Sequence, residues 1–144
     1  MNELATRPGR LALVVDGEKG DGLVARLAAL ADEAVTLVGA MIVQHRPITG
    51  ESFERRLSDA SILVDIEILF EPKLELDPIQ LLRNLARRKP RLALWPGQIA
   101  GGLASYSELG RRDWYESRLE NAIVLRPTAS QFPDEVPYTA ERIP

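Results

Sequence analysis

Ser61-Ile-Leu-Val-Asp65-Ile-Glu67-Ile-Leu-Phe-Glu-Pro72 is the stretch whose reading decides the fold. Its apolar residues do not alternate with polar ones, and a strand buried on both faces reads this way. Such strands belong to parallel sheets covered by helices. Asp65 is the residue to explain, because a carboxylate inside an apolar run is costly unless it is paired, binds a metal or sits where the strand leaves the sheet. The carboxyl end of a strand is also where ligands bind in open α/β sheets. The plain alternative is that Asp65 and Glu67 face solvent or pair with an arginine.

Working outward, Arg10 to Val15 reads as a first buried strand, followed by Asp-Gly-Glu-Lys-Gly-Asp-Gly and an apolar stripe at Leu23, Leu27, Leu30, Ala31 and Ala34. Strand, glycine-rich turn and amphipathic helix open a βαβ unit. Val35 to Val43 reads as a second strand that Gly39 can break. Thr49 is placed to cap a short helix with Phe53 and Leu57 inward. After the central strand, Asp77 is a predicted N-cap and Pro78 a first-turn residue of a helix whose inner face is Ile79, Leu82, Leu85 and Ala86. Arg87, Arg88 and Lys89 suit its carboxyl end, and Pro90 stops it. Leu92 to Leu94 is a fourth strand and Ala122 to Leu125 a fifth. Gln98 to Asn121 reads as a long loop with at most one helical turn, and loops of that length in compact domains are usually functional.

These elements give the expected fold class: α/β, a three-layer P-loop-like fold with a mostly parallel sheet of about five strands. Residues 1–127 form one domain, and residues 128–144 a proline-rich tail that packs as an extended strip or is partly disordered.

With no cysteine, the chain has no disulfide framework, thiolate zinc site or cysteine nucleophile. His45 is the only histidine and has no second histidine or cysteine to complete a ligand set. A net charge of -3 gives no global attraction to nucleic acid, so any such contact would be local or indirect. No apolar run approaches the length of a membrane span, and a cytoplasmic location without a membrane partner is expected.

A working phosphate loop needs Gly-x-x-x-x-Gly-Lys-Ser/Thr, because backbone N–H groups cradle the phosphates while lysine neutralises them and the hydroxyl ligates magnesium. Gly17 and Gly22 have the right separation, with Lys19 and Gly20 between them, but Leu23 and Val24 hold the Lys and Ser/Thr positions. Asp16, Glu18 and Asp21 would also repel a phosphate, each by about 1 kcal/mol even at water's dielectric. Neither ATP nor Mg²⁺ is therefore an expected cofactor.

Sheets of this kind often set the first and third strands side by side, which would gather Asp16, Asp65 and Glu67 into a site for a hard cation. Val14-Val15-Asp16-Gly17-Glu18-Lys19 with Asp21 resembles the first motif of Toprim nuclease and primase domains. That family has Glu where this chain has Asp16, and Asp-x-Asp where it has Asp65-Ile66-Glu67. The resemblance implies, as the alternative function, a Mg²⁺-dependent nuclease or phosphotransferase.

A longer resemblance runs from about Leu11 to Val124. Asp65-Ile-Glu-Ile-Leu-Phe-Glu-Pro, Leu76-Asp-Pro-Ile-Gln-Leu-Leu-Arg-Asn-Leu-Ala-Arg, Leu94-Trp-Pro-Gly-Gln-Ile and the segment Tyr106…Gly110…Trp114-Tyr115 follow in order. This resembles the BrxF family, the small P-loop proteins of type 3 BREX phage-defence systems. It implies a P-loop fold, a Walker B-like acid at Asp65, and an accessory role beside larger defence-system proteins. ATPase activity is not implied, since the phosphate loop is degenerate. Trp95, Tyr106, Arg111, Arg112, Trp114 and Tyr115 are the expected partner-binding residues, because Trp, Tyr and Arg dominate interface hot spots. Trp95, directly after a strand, is equally expected as core.

Overall fold

The computed structural model describes residues 11–15, 17–39, 54–128 and 138–144, with the side chains of 17–21 and 73 excepted. Asp16, residues 40–43 of the second predicted strand, His45, Thr49 and Phe53 lie outside the described residues.

A six-stranded sheet runs through the middle in the order β2-β3-β4-β1-β8-β9. Its strands are β1 (Leu11–Val14), β2 (Val35–Leu37), β3 (Ile62–Val64), β4 (Arg91–Leu94), β8 (Ala122–Pro127) and β9 (Tyr138–Ile143). All neighbours pair in parallel except β8 and β9. Helix α1 (Gly17–Ala31) joins β1 to β2, and α2 (Pro78–Ala86) joins β3 to β4. These crossovers step in opposite directions along the sheet, so right-handed connections put the helices on opposite faces.

The apolar runs are continuous because each strand serves both faces. On β1, Ala12 and Val14 meet Leu23, Val24, Leu27 and Ala28 of α1. Leu11 and Leu13 belong to the opposite core with Ile79, Leu82 and Leu85 of α2. Each valine, leucine or isoleucine among them contributes about 1.5–3 kcal/mol by leaving water. The inward stripe of α1 keeps Leu23 and Leu27 of the predicted set but not the rest: Leu30 is 66% exposed and Ala34 lies beyond the helix, while Val24 and Ala28 take the buried positions.

The decisive stretch is a shorter strand than expected. Only Ile62–Val64 is β, Asp65 turns the chain with φ +55°, and Glu67–Phe70 is a 3₁₀ turn. Its later apolar residues are still buried, Ile66 and Leu69 completely, as plugs at the end of the sheet instead of rungs within it. The second strand ends at Leu37, with Val38 and Gly39 already helical.

The largest departure lies in residues 98–121, which form a second sheet rather than a loop. It consists of β5 (Gln98–Ala100), β6 (Leu103–Tyr106) and β7 (Tyr115–Arg118), all antiparallel. Gly101 and Gly102 take φ +59° and +78°, the mirror-image turn geometry that matches strand twist in a two-residue hairpin. Gly97 is needed for another reason: a Cβ there would overlap the Ser105 carbonyl oxygen of β6. The proline-rich tail supplies an extended strip in the strict sense, since Tyr138–Ile143 completes the large sheet as β9.

Arg91 opens β4 and is 2% exposed. Among the described residues its guanidinium forms no ion pair with a carboxylate. It donates to the carbonyls of Leu57 (2.7 Å), Ala60 (2.6 Å), Ser58 (2.8 Å) and Leu85 (3.1 Å), ending two helical segments at once. Burial, with Arg88 adding to it, lowers its pKa from the usual arginine value. Lys89 donates to the Asp59 carbonyl nearby at 2.8 Å, before β3 and not at the carboxyl end of α2. Among the described residues no helix is long and apolar enough to cross a membrane.

Candidate functional site

The glycine-rich segment is not an open loop. The helix begins at Gly17, so Gly17, Lys19, Gly20 and Gly22 lie within the first turns of α1. A phosphate cradle needs those N–H groups free of the helix ladder until the second glycine. The two positions where lysine and hydroxyl belong point into the sheet: Leu23 is 1% exposed and Val24 2%. The segment does not fit ATP or its magnesium.

The strands that lead to the acids are not neighbours. β4 pairs with both β1, the strand leading to Asp16, and β3, the strand leading to Asp65. Asp65 is exposed at the carboxyl end of β3, and Glu67 opens the 3₁₀ turn that follows. Gly39 donates its N–H to the Asp65 carbonyl at 3.0 Å, and the Asp65 carboxylate lies against Gly39 so closely that any Cβ there would overlap it. Aspartate tolerates the left-handed backbone better than most residues, which explains the residue type without a ligand. No group of three or more His, Asp or Glu able to hold a metal occurs among the described residues.

The six aromatic and arginine positions divide into a base and a tip. Trp95 is 1% exposed, and its indole N–H donates to the Ser105 carbonyl at 3.0 Å. Phe70 stacks on Tyr106 with ring centroids 4.0 Å apart and meets Trp95 and Tyr115 edge-on at 5.3 and 5.4 Å. The Tyr115 hydroxyl donates to Asp77 Oδ1 and accepts the Ile79 N–H at 3.3 Å, while Asp77 caps α2 through the Gln80 N–H at 3.2 Å. Trp95, Tyr106 and Tyr115 therefore fasten the small sheet to the large one, and of these Trp95 is core. Arg111, Arg112 and Trp114 sit beyond them on the β6–β7 connection, all exposed, beside Leu109 at 81%.

Burial, followed by the Asp77 hydrogen bond, pushes the Tyr115 phenol well above the usual tyrosine range. Burial, with Asp113 and Glu67, raises Tyr106 as well. Both phenols titrate near pH 10 in the unfolded chain. Their contribution to stability is whole below that pH and declines above it, where the unfolded chain loses protons that the native one keeps. Tyr115→Phe is expected to cost about 1–3 kcal/mol at neutral pH, because the Ile79 N–H and Asp77 lose a partner. It should also flatten the alkaline decline, and denaturant melts at pH 7 and 10.5 read both effects.

Two features escaped the sequence reading. Leu109 stands alone between Glu108 and Gly110 without periodicity, so no pattern marks it. The small sheet did carry a signal in Gly101-Gly102, a glycine pair between two short runs that a two-residue hairpin would use.

No family model, curated protein or solved structure matches this chain.

Proposed function

We propose that this chain is a non-hydrolysing, P-loop-like accessory subunit of a BREX-type phage-defence complex, acting through larger protein partners. The observation that carries the non-hydrolysing part is the burial of Leu23 and Val24 in the α1 side of the core. With those positions committed to packing, the helix offers neither a lysine nor a hydroxyl at the two places where a phosphate loop uses them. The parallel sheet, the acid at the end of β3 and the Asp77-Pro78 helix start support the fold-level part of the reading. The defence role rests on the resemblance to the BrxF family over residues 11–124.

Thermal unfolding with millimolar ATP or ADP and Mg²⁺ tests the first part. A ligand at 100 times its Kd would add about 2.7 kcal/mol of stability, a rise of several degrees. The expected shift is zero, and a clear rise or an Asp65-dependent ATP turnover would sink this part. Phage plating tests the second part: deleting the gene from a host carrying the whole system should lower protection, and Asp65→Asn should restore it. Undiminished protection after deletion would remove the defence role.

A further inference from the structure

The β6–β7 connection carries Leu109 and Trp114, 81% and 41% exposed, before and after Arg111 and Arg112 in the sequence. Neither arginine forms an ion pair among the described residues, whereas Asp113 beside them is held by the Ser107 hydroxyl at 2.6 Å. The tip stands on a rigid base. Phe70, Trp95, Tyr106 and Tyr115 lock the strands beneath it, so an incoming chain meets a surface already ordered and forgoes part of the usual entropic cost. Between the tip and Glu71-Pro72 runs a cleft of about 640 Å³, with Arg111 and Arg112 on its wall together with Glu71 and Asp113.

That mixture of signs identifies the class of occupant. A nucleic acid carries a negative charge at every phosphate and would meet Glu71 and Asp113 as well as the arginines. A protein segment can match both. One carboxylate takes a guanidinium fork in two parallel hydrogen bonds, and the adjoining main-chain N–H groups suit the acids. A large apolar side chain beside that carboxylate suits exposed Leu109 or Trp114, and Trp and Arg are residue types that concentrate binding energy at interfaces.

We propose that the β6–β7 tip docks a protein partner through a short segment in which an aspartate or glutamate adjoins a large apolar side chain. This rests on the partner-acting reading above and names the face and chemistry of the contact.

The test is selection from a displayed random-peptide library on the full-length protein, followed by titration of an enriched synthetic peptide. Arg111→Glu/Arg112→Glu and Leu109→Ser serve as comparison proteins, each checked for unchanged thermal unfolding. Enriched peptides should place Asp or Glu beside Leu, Phe or Trp. The double charge reversal should weaken binding at least tenfold, added salt should weaken it too, and Leu109→Ser should weaken it severalfold. The proposal is overturned by no enrichment, by peptides that bind the charge-reversed protein equally well, or by tighter binding of oligo-dT than of any peptide. Peptides captured at another face would leave the partner-acting reading standing and remove only this placement; nucleotide turnover would strike the non-hydrolysing reading and leave the tip untouched.

Discussion

Arg91→Ala should lower the unfolding free energy by about 3–5 kcal/mol and the melting temperature by about 10 °C. The cost does not come from a broken ion pair, since the guanidinium forms none with a carboxylate among the described residues. It comes from the carbonyls of Ser58 and Ala60, left without this donor inside the protein, and from weaker satisfaction at Leu57 and Leu85, which also accept from Ala60 and Arg88. Each orphaned buried acceptor costs about 1–3 kcal/mol. Arg91→Lys should recover little, because one ammonium cannot reach carbonyls that a planar fork spans from two sides. Equilibrium urea melts of the three proteins decide it, and a lysine variant as stable as the parent would show that charge alone is what the site needs.

Leu23→Lys/Val24→Thr, which writes the missing phosphate-loop residues back into the chain, should unfold the protein instead of conferring ATP binding. Both positions are at most 2% exposed beneath α1. The lysine would forfeit about 1.5–3 kcal/mol of apolar burial. Its ammonium has no acid among the side chains of that core, and desolvation adds several kcal/mol more. Against a typical total of about 5–15 kcal/mol, such a loss leaves little or no native protein. Val24→Thr alone, nearly isosteric, should fold with a loss of about 1–3 kcal/mol for its buried hydroxyl. Circular dichroism and equilibrium dialysis with ATP and Mg²⁺ read the outcome. A folded double variant that binds nucleotide would mean that the helix can open at Gly17, and the non-hydrolysing reading would fall with it.

The large sheet was legible where burial on two faces writes an unbroken apolar run. Leu11–Val14, Ile62–Val64, Leu92–Leu94 and Ala122–Leu125 are strands for that reason, and Asp77-Pro78 starts α2 as a cap and a pre-formed turn should. What was hidden depends on contacts distant in sequence. The strands of the small sheet are three or four residues long, and only Ile99 and Ala104 on β5 and β6 are fully buried, so their alternation is too brief to register. β9 carries one half-buried residue, Ile143, and owes its strand conformation to the ladder with β8 rather than to its own pattern. The end of β3 was misjudged because Ile66, Leu69 and Phe70 are as buried in a 3₁₀ turn as they would be in a strand. At the candidate site, residue type singled out the segment from Trp95 to Tyr115. It could not divide that segment into anchors and exposed contacts, because Trp95 and Trp114 differ only in what the rest of the chain brings against them.

The place of β1 governs when the protein can become itself. It is the first described strand of the chain and pairs with β4 and β8, Leu11 lying opposite Arg91 on one side and Ala122 on the other. Until residues 122–125 have been synthesised, this wholly apolar strand has an open flank, and helix α1 has only part of the floor it rests on. Native structure at this centre is therefore a late event of synthesis, set by long-range closure and not by local preference. A nascent chain stalled before Ala122 would present a wholly apolar strand with one open edge to its surroundings, a form exposed to chaperones and to self-association.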